Sequence, residues 1–138
     1  MIVVDASAVL EVLTRGPAAR AAEARLFAPD ETLHAPELID LEVAQVLRRF
    51  VLARRMTVAL ADQAMDRWRG TRVQRWAHHD LLPRVWSLRA TLNAYDAAYV
   101  ALAEGLGVAL VTTDGKIARA SGHGARVEVV GSGGIADP

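Results

Sequence analysis

The sequence predicts an α/β domain built on a mainly parallel sheet, and three observations carry that prediction. Short strand-like runs recur at Ile2–Val4, Thr32–His34, Thr71–Trp76, Val108–Val111 and Val127–Val130. Segments of helical period separate them, as expected when each strand returns to a parallel sheet through a helix. The runs Ile2–Val4 and Val108–Val111 have no polar face, which suits strands covered by helices on both sides. At 138 residues the chain is most simply one domain, from Met1 to about Val130, with room for a self-sufficient core. No linker, repeat or low-complexity tract divides it, and Gly131–Pro138 is expected to be a mobile tail.

Each element has a local reason. Ile2–Val4 ends on Asp5, and Ser7 is placed to cap a helix over Ala8–Thr14 whose Val9, Leu10, Val12 and Leu13 form the buried side. Gly16-Pro17 closes that helix and opens another over Ala18–Phe27. Pro29-Asp30 turns the chain into Thr32–His34, and Pro36 sits in the first turn of a long helix, Glu37–Arg54. Leu38, Ile39, Val43, Val46, Leu47 and Phe50 stripe that helix. Thr57 starts a helix that ends near Gly70, and Val73 and Trp76 mark a weak strand. Asp80 is expected to cap Leu81–Leu92, with Pro83 tolerated in the first turn. The alanine-rich block Ala94–Ala103 is helical by propensity, and Gly105 and Gly107 break it before Val108–Val111. Lys116–Ala120 reads as a short helix closed by Ser121-Gly122.

Composition excludes several classes of function. Without cysteine the chain has neither a disulfide framework nor a thiolate metal site. The Met-Ile-Val-Val-Asp start has no basic region, unlike a signal peptide. The longest apolar region, Ala97–Val111, contains Glu104 and two glycines and is too short to span a bilayer. A cytoplasmic protein with no membrane partner is the expectation. The net charge of zero hides a division: residues 1–47 hold three arginines against eight acids, whereas residues 48–89 hold ten arginines against three acids. A basic middle beside acidic flanks suits a polyanion-facing rim around an acidic centre, although a solvated face of helix arginines accounts for it equally well.

Four acids stand where such a fold gathers side chains at one sheet edge. Asp5 ends the first strand, Asp114 ends the fourth, and Asp96 opens the central helix. Helix capping alone explains Asp96 and Asp114 as readily as a site does. Glu42 is the informative member, because it lies one turn from both Leu38 and Val46 and interrupts an apolar stripe. A charge in that position is costly unless it meets a cation or an ion-pair partner such as arginine. Carboxylates without cysteine suit Mg²⁺ or Mn²⁺ more than zinc, and such a cation activates water and supports in-line displacement at phosphorus.

These residues resemble a known family. Asp5-Ala6-Ser7-Ala8, Glu42 on the third helix, the block Ala94-Tyr95-Asp96-Ala97-Ala98-Tyr99-Val100-Ala101-Leu102-Ala103 and Leu110-Val111-Thr112-Thr113-Asp114 are similar to the PIN domain, in particular to the VapC toxins of bacterial toxin–antitoxin pairs. The similarity runs from Met1 to about Val130, and the Ala94–Ala103 block followed by Thr-x-Asp is its specific part. It implies a central parallel five-stranded sheet flanked by helices and a Mg²⁺- or Mn²⁺-dependent endoribonuclease. It also implies a VapB-type antitoxin partner, with a homodimer or a hetero-oligomer with that antitoxin as the assembly. Carried over by position, Asp5, Glu42, Asp96 and Asp114 would be catalytic, with Asp5, Asp96 and Asp114 at the metal and Ser7 and Thr112 in support. Asn93 stands where relatives often have Thr or Ser, and it keeps the ability to hydrogen-bond.

Other residues admit two readings. Arg48, Arg49 and Lys116 could hold an RNA backbone, or be solvated charges at a helix end and a turn. Trp68, Trp76 and Trp86 could stack bases, but core or interface packing fits so few aromatics better. The four histidines show no ligand spacing. Two rival functions remain open from sequence: a response-regulator-like receiver domain, which needs paired acids where Asp5-Ala6-Ser7 offers one, and a non-catalytic PIN-fold binding module.

Overall fold

The computed structural model describes residues 1–131, so the expected mobile tail beyond Gly131 lies outside the described residues. Its strands are β1 (Ile2–Val4), β2 (Leu33–Pro36), β3 (Gln74–Trp76), β4 (Leu110–Thr112) and β5 (Val127–Val129). Its α-helices are α1 (Ala6–Leu13), α2 (Ala19–Leu26), α3 (Ile39–Leu52), α4 (Val58–Gly70), α5 (Leu82–Ser87), α6 (Ala94–Leu106) and α7 (Gly115–Arg119). The sheet order is β3-β2-β1-β4-β5, with every neighbouring pair parallel. Val3 in β1 stands between His34 of β2 and Leu110 of β4. That central position explains the unbroken apolar runs: Ile2, Val3, Val4, Leu110 and Val111 are all buried.

Strand order locates the site. The chain steps outward from β1 through β2 to β3, then returns past β1 to lay down β4 and β5. The direction of winding therefore reverses between β1 and β4, and the crevice outside their carboxyl ends is where such sheets receive ligands. Asp5 follows β1 directly, and Thr113 and Asp114 follow β4. Helix α6 covers this centre, burying Ala97 through Ala103 without a break. Five alanines in its sequence, with no bulky stripe, let the helix backbone lie close to its neighbours.

Several element boundaries differ from those the sequence predicts. Helix α1 begins at Ala6, so Asp5 holds the N-cap position with extended backbone and Ser7 is not the cap. Pro36 completes β2 opposite Trp76, and α3 starts at Ile39. The segment Leu81–Leu92 is not one helix: a 3-10 turn over His79–Leu81 precedes α5, and turns follow it. Asp80 lies inside that turn and caps nothing. Side chains tie this segment to the loop after Arg119: Thr91 Oγ1 donates to the Ser121 carbonyl at 2.8 Å and Arg84 Nη2 donates to the Gly122 carbonyl at 2.9 Å. Helix α6 runs through Gly105 and ends at Gly107, whose φ of 67° is the left-handed conformation that favours glycine at a helix C-terminus. Among the described residues no helix is long and apolar enough to cross a membrane.

Candidate active site

Asp5 sits at the bottom of the crevice and is 6% exposed. Its Oδ2 accepts from Thr112 Oγ1 at 2.7 Å and from Ser7 Oγ at 2.9 Å. The two hydroxyls are 3.1 Å apart and each also accepts from backbone: Thr113 N–H donates to Ser7 Oγ at 3.0 Å, and Asp114 N–H donates to Thr112 Oγ1 at 3.0 Å. Ser7 and Thr112 thus fasten the end of β1 to the end of β4 across 105 residues of chain. This network, rather than helix capping, occupies Ser7. Thr112 is fully buried, so its hydroxyl has no recourse to solvent.

Asp96 and Asp114 line the mouth of the crevice, each partly buried. Asn93 caps α6 by accepting from Asp96 N–H at 2.8 Å, which fixes the turn that carries Asp96. Asp114 does cap α7, accepting from Lys116 N–H at 2.9 Å through Oδ1. That bond engages one carboxylate oxygen, so capping and membership of the cluster coexist.

Glu42 comes from the first turns of α3 and is half-buried. Its Oε1 accepts from the Tyr99 hydroxyl at 2.5 Å. Tyr99 is fully buried on α6, three residues after Asp96 and so on the same helical face. Tyr99 belongs to the Ala94–Ala103 block, and the sequence alone assigns it no role. Its signal was available: a phenol buried in an alanine-rich helix must find a polar partner.

The electrostatics join these acids into one cluster. Burial raises the Asp5 carboxyl above the usual range, the two hydroxyls hold it down in part, and the Asp114 charge raises it. Glu42 is raised by burial, lowered by the Tyr99 hydroxyl, and raised again by Asp5 and Asp96. Asp96 is raised by burial and by Asp5 and Asp114, while Lys116 and Asn93 oppose the shift. Burial and the Glu42 charge push the Tyr99 phenol far above its ordinary value, so it remains a donor. Among the described residues none of the four acids forms an ion pair, although Asp40, Glu31, Glu104 and Glu128 all do. The ion-pair reading of Glu42 is therefore replaced by a neutral phenol.

The cluster offers oxygen donors and excess negative charge, a chemistry that suits a hard cation. Among the described residues no three His, Asp or Glu side chains stand close enough together to form a metal-ligand set as they are. Arg48 and Arg49 are exposed on α3, and Lys116 is exposed at the start of α7, near enough to stabilise the Asp96 charge. The tryptophans divide. Trp68 is a core residue whose Nε1 donates to Asp40 at 2.8 Å, whereas Trp76 and Trp86 are exposed.

Comparison with known proteins bears on this geometry. The PIN domain family model matches residues 2–122. The chain is 46% identical over 114 residues to the VapC ribonuclease Mb0985 of Mycobacterium bovis, covering 83% of this chain and 86% of the relative. It is 40% identical over 130 residues to ribonuclease VapC12 of Mycobacterium tuberculosis, covering 94% of this chain and 99% of the relative. Among solved structures it resembles a chain of VapBC2 from Rickettsia felis, bound to a DNA fragment from its promoter, with a TM-score of 0.68 and 14% identity over 94% of this chain and 98% of that one. That structural likeness concerns the fold.

Proposed function

The chain belongs to the PIN domain family, and on that premise we propose that it is a metal-dependent endoribonuclease, the toxin of a type II toxin–antitoxin pair. One observation carries the proposal: four carboxylates from separate parts of the chain lie within electrostatic reach of one another around the winding reversal of the sheet, without an ion-pair partner among the described residues. The ribonuclease relatives support the substrate class, and the VapBC2 assembly supports an antitoxin of VapB type as protein partner. A homodimer, alone or within a hetero-oligomer with the antitoxin, is part of the same reading, as is a cytoplasmic site of action.

Asp5, Asp96 and Asp114 would hold Mg²⁺ or Mn²⁺. When bound, the cation supplies positive charge at the scissile phosphate and lowers the pKa of water. The protein's own groups do the rest. Ser7 and Thr112 hold Asp5 in one orientation by binding the same oxygen, Oδ2. Asn93 sets the turn of α6 that aims Asp96 into the crevice. Tyr99 occupies Glu42 Oε1, which leaves Oε2 for a water proton, and the raised Glu42 carboxyl is a better proton acceptor than an ordinary one. Arg48, Arg49 and Lys116 supply cations for the RNA backbone outside the acidic centre.

The test is cleavage of total RNA by the purified chain with Mg²⁺ or Mn²⁺, with ends mapped by sequencing. Asp5→Asn and Asp96→Asn should each abolish cleavage while leaving the circular dichroism spectrum unchanged. Undiminished metal-dependent cleavage by both variants overturns the assignment.

A further inference from the structure

Beside the acidic centre, α3 and the first turn of α6 line a groove of about 440 Å³, and apart from Glu42 and Arg49 its residues have no part in the reaction described above. Glu42 is among its lining residues. The wall follows one face of α3, since Leu38, Leu41, Gln45 and Arg49 recur at spacings of three and four, with Val46 beside Gln45. Tyr95, the residue preceding Asp96, closes the opposite side. Leu41 is 76% exposed and Tyr95 is 62% exposed, so large apolar surface stands open next to a charged site. The volume lies within the range of about 300–1,000 Å³ usual for small-ligand sites.

We propose that this groove is a nucleobase subsite, which seats the unpaired base flanking the scissile phosphate. The inference rests on the ribonuclease reading of the acidic centre and names what that centre selects. Two features argue for this occupant. First, the groove shares Glu42 with the catalytic cluster, so a strand whose phosphate lies at the carboxylates has a neighbouring nucleotide beside the groove. Second, the lining groups suit the parts of a nucleotide. The Tyr95 ring and the Leu38, Leu41 and Val46 side chains offer flat apolar surface for a base. Gln45 carries both a donor and an acceptor able to read a base edge. Arg49 adds a cation to the lining, suited to an adjoining phosphate. Single-stranded RNA is recognised in this manner, by stacking and edge contacts together.

The groove would therefore set the sequence preference of cleavage, with Tyr95 and Gln45 as specificity residues and the four acids indifferent to the base. The experiment uses the purified full chain and a pool of RNA oligonucleotides randomised at every position, with cut ends sequenced and kcat and KM measured on the best-cut sequence. The wild type is expected to show a base preference at one position beside the cut. Tyr95→Ala should flatten that preference and lower kcat/KM about tenfold or more, mainly through KM, as loss of one stacked base does. Tyr95→Phe should restore both, and Gln45→Ala should broaden the preference with a smaller rate effect.

A wild type that cuts with a preference Tyr95→Ala leaves intact overturns the subsite alone. If Tyr95→Ala also halves the sedimentation mass of the protein, the face is a contact between two copies of the chain, and the subsite again falls. A wild type that cuts no RNA, with contaminating nuclease excluded, removes the ribonuclease reading and the subsite with it.

Discussion

Replacing Tyr99 with phenylalanine isolates one bond of the cluster. Tyr99 is fully buried and its hydroxyl donates to Glu42 Oε1 at 2.5 Å. Phenylalanine keeps the ring and leaves no cavity large enough to matter, so the change removes a hydrogen bond to a half-buried carboxylate. Such bonds contribute about 1.5–3 kcal/mol. For a domain of this size that corresponds to a melting-temperature loss of roughly 5–10 °C at neutral pH. The pH dependence has a definite sign. In the wild type burial and the charges of Asp5 and Asp96 raise Glu42, and Tyr99 pulls it back down. Without Tyr99 the Glu42 carboxyl rises further, so the folded state binds its proton over a wider range than the unfolded state does. Stability then falls as pH rises from the unfolded value of 4.5 through the folded one, and the deficit of Tyr99→Phe is larger at pH 7.5 than at pH 4.5. The acid limb of the cleavage profile moves to higher pH for the same reason. Thermal unfolding at both pH values and a pH–rate profile at fixed cation concentration read these effects. A melting temperature within 1 °C of wild type, together with an unmoved acid limb, refutes the role given to Tyr99.

Three further changes probe the remaining contacts. Thr112→Val removes the donor to Asp5 and the acceptor for Asp114 N–H at a fully buried position. It should cost about 2–3 kcal/mol and weaken Mn²⁺ binding roughly 10–100-fold by titration calorimetry, with Thr112→Ser restoring both. Asp5→Asn removes a buried charge whose pKa is raised. Without added cation at pH 7.5 the variant should unfold at higher denaturant than wild type, by roughly 1 kcal/mol, and Mn²⁺ should raise the wild-type melting temperature but not the variant's. Asp40 is a contrast, since Arg75 and then Trp68 lower its carboxyl through hydrogen bonds and it lies outside the cluster. Its stabilisation is present above the unfolded value of 3.8 and is lost as pH falls below it. Because the pair is partly solvent-screened, Asp40→Asn should cost only about 1 kcal/mol at pH 7, with cleavage unchanged.

The sequence disclosed what belongs to single elements. Ile2–Val4 and the Val108–Val111 run are legible because a strand buried on both faces must be apolar throughout, and Asp5 and Asp114 are legible because they end such runs. Glu42 is legible because a charge in an apolar stripe contradicts its own helix. Contacts between elements were less accessible. Ser7 satisfies every local rule for a cap, yet its hydroxyl goes to Asp5 and receives Thr113 N–H. Only the pairing of β1 with β4 brings those groups together, and no local pattern encodes that pairing. Helix α5 and the turns after it also carry contacts that no local pattern encodes, since the Thr91 and Arg84 side chains reach the Ser121 and Gly122 carbonyls.

Glu42 shows why the cluster needs more than the chain provides. The physical expectation was that a carboxylate on an apolar face meets either an arginine or a cation. The chain meets it with Tyr99, a neutral donor that satisfies one oxygen and cancels no charge. Asp5 is treated in the same way by two neutral hydroxyls. Elsewhere the protein pairs its acids directly: Arg25 bridges Glu31 and Glu128, Arg75 holds Asp40, and Arg84 holds Glu104. Sixteen basic residues are available, ten of them arginines in the middle of the chain, yet among the described residues none forms an ion pair with this cluster, and Lys116 acts on Asp96 only through its charge. Neutral donors orient carboxylates while preserving their negative charge. An arginine would quench it and fill the crevice. The choice of hydroxyls over guanidinium groups is thus what a site requires when its positive charge is to come from outside the chain.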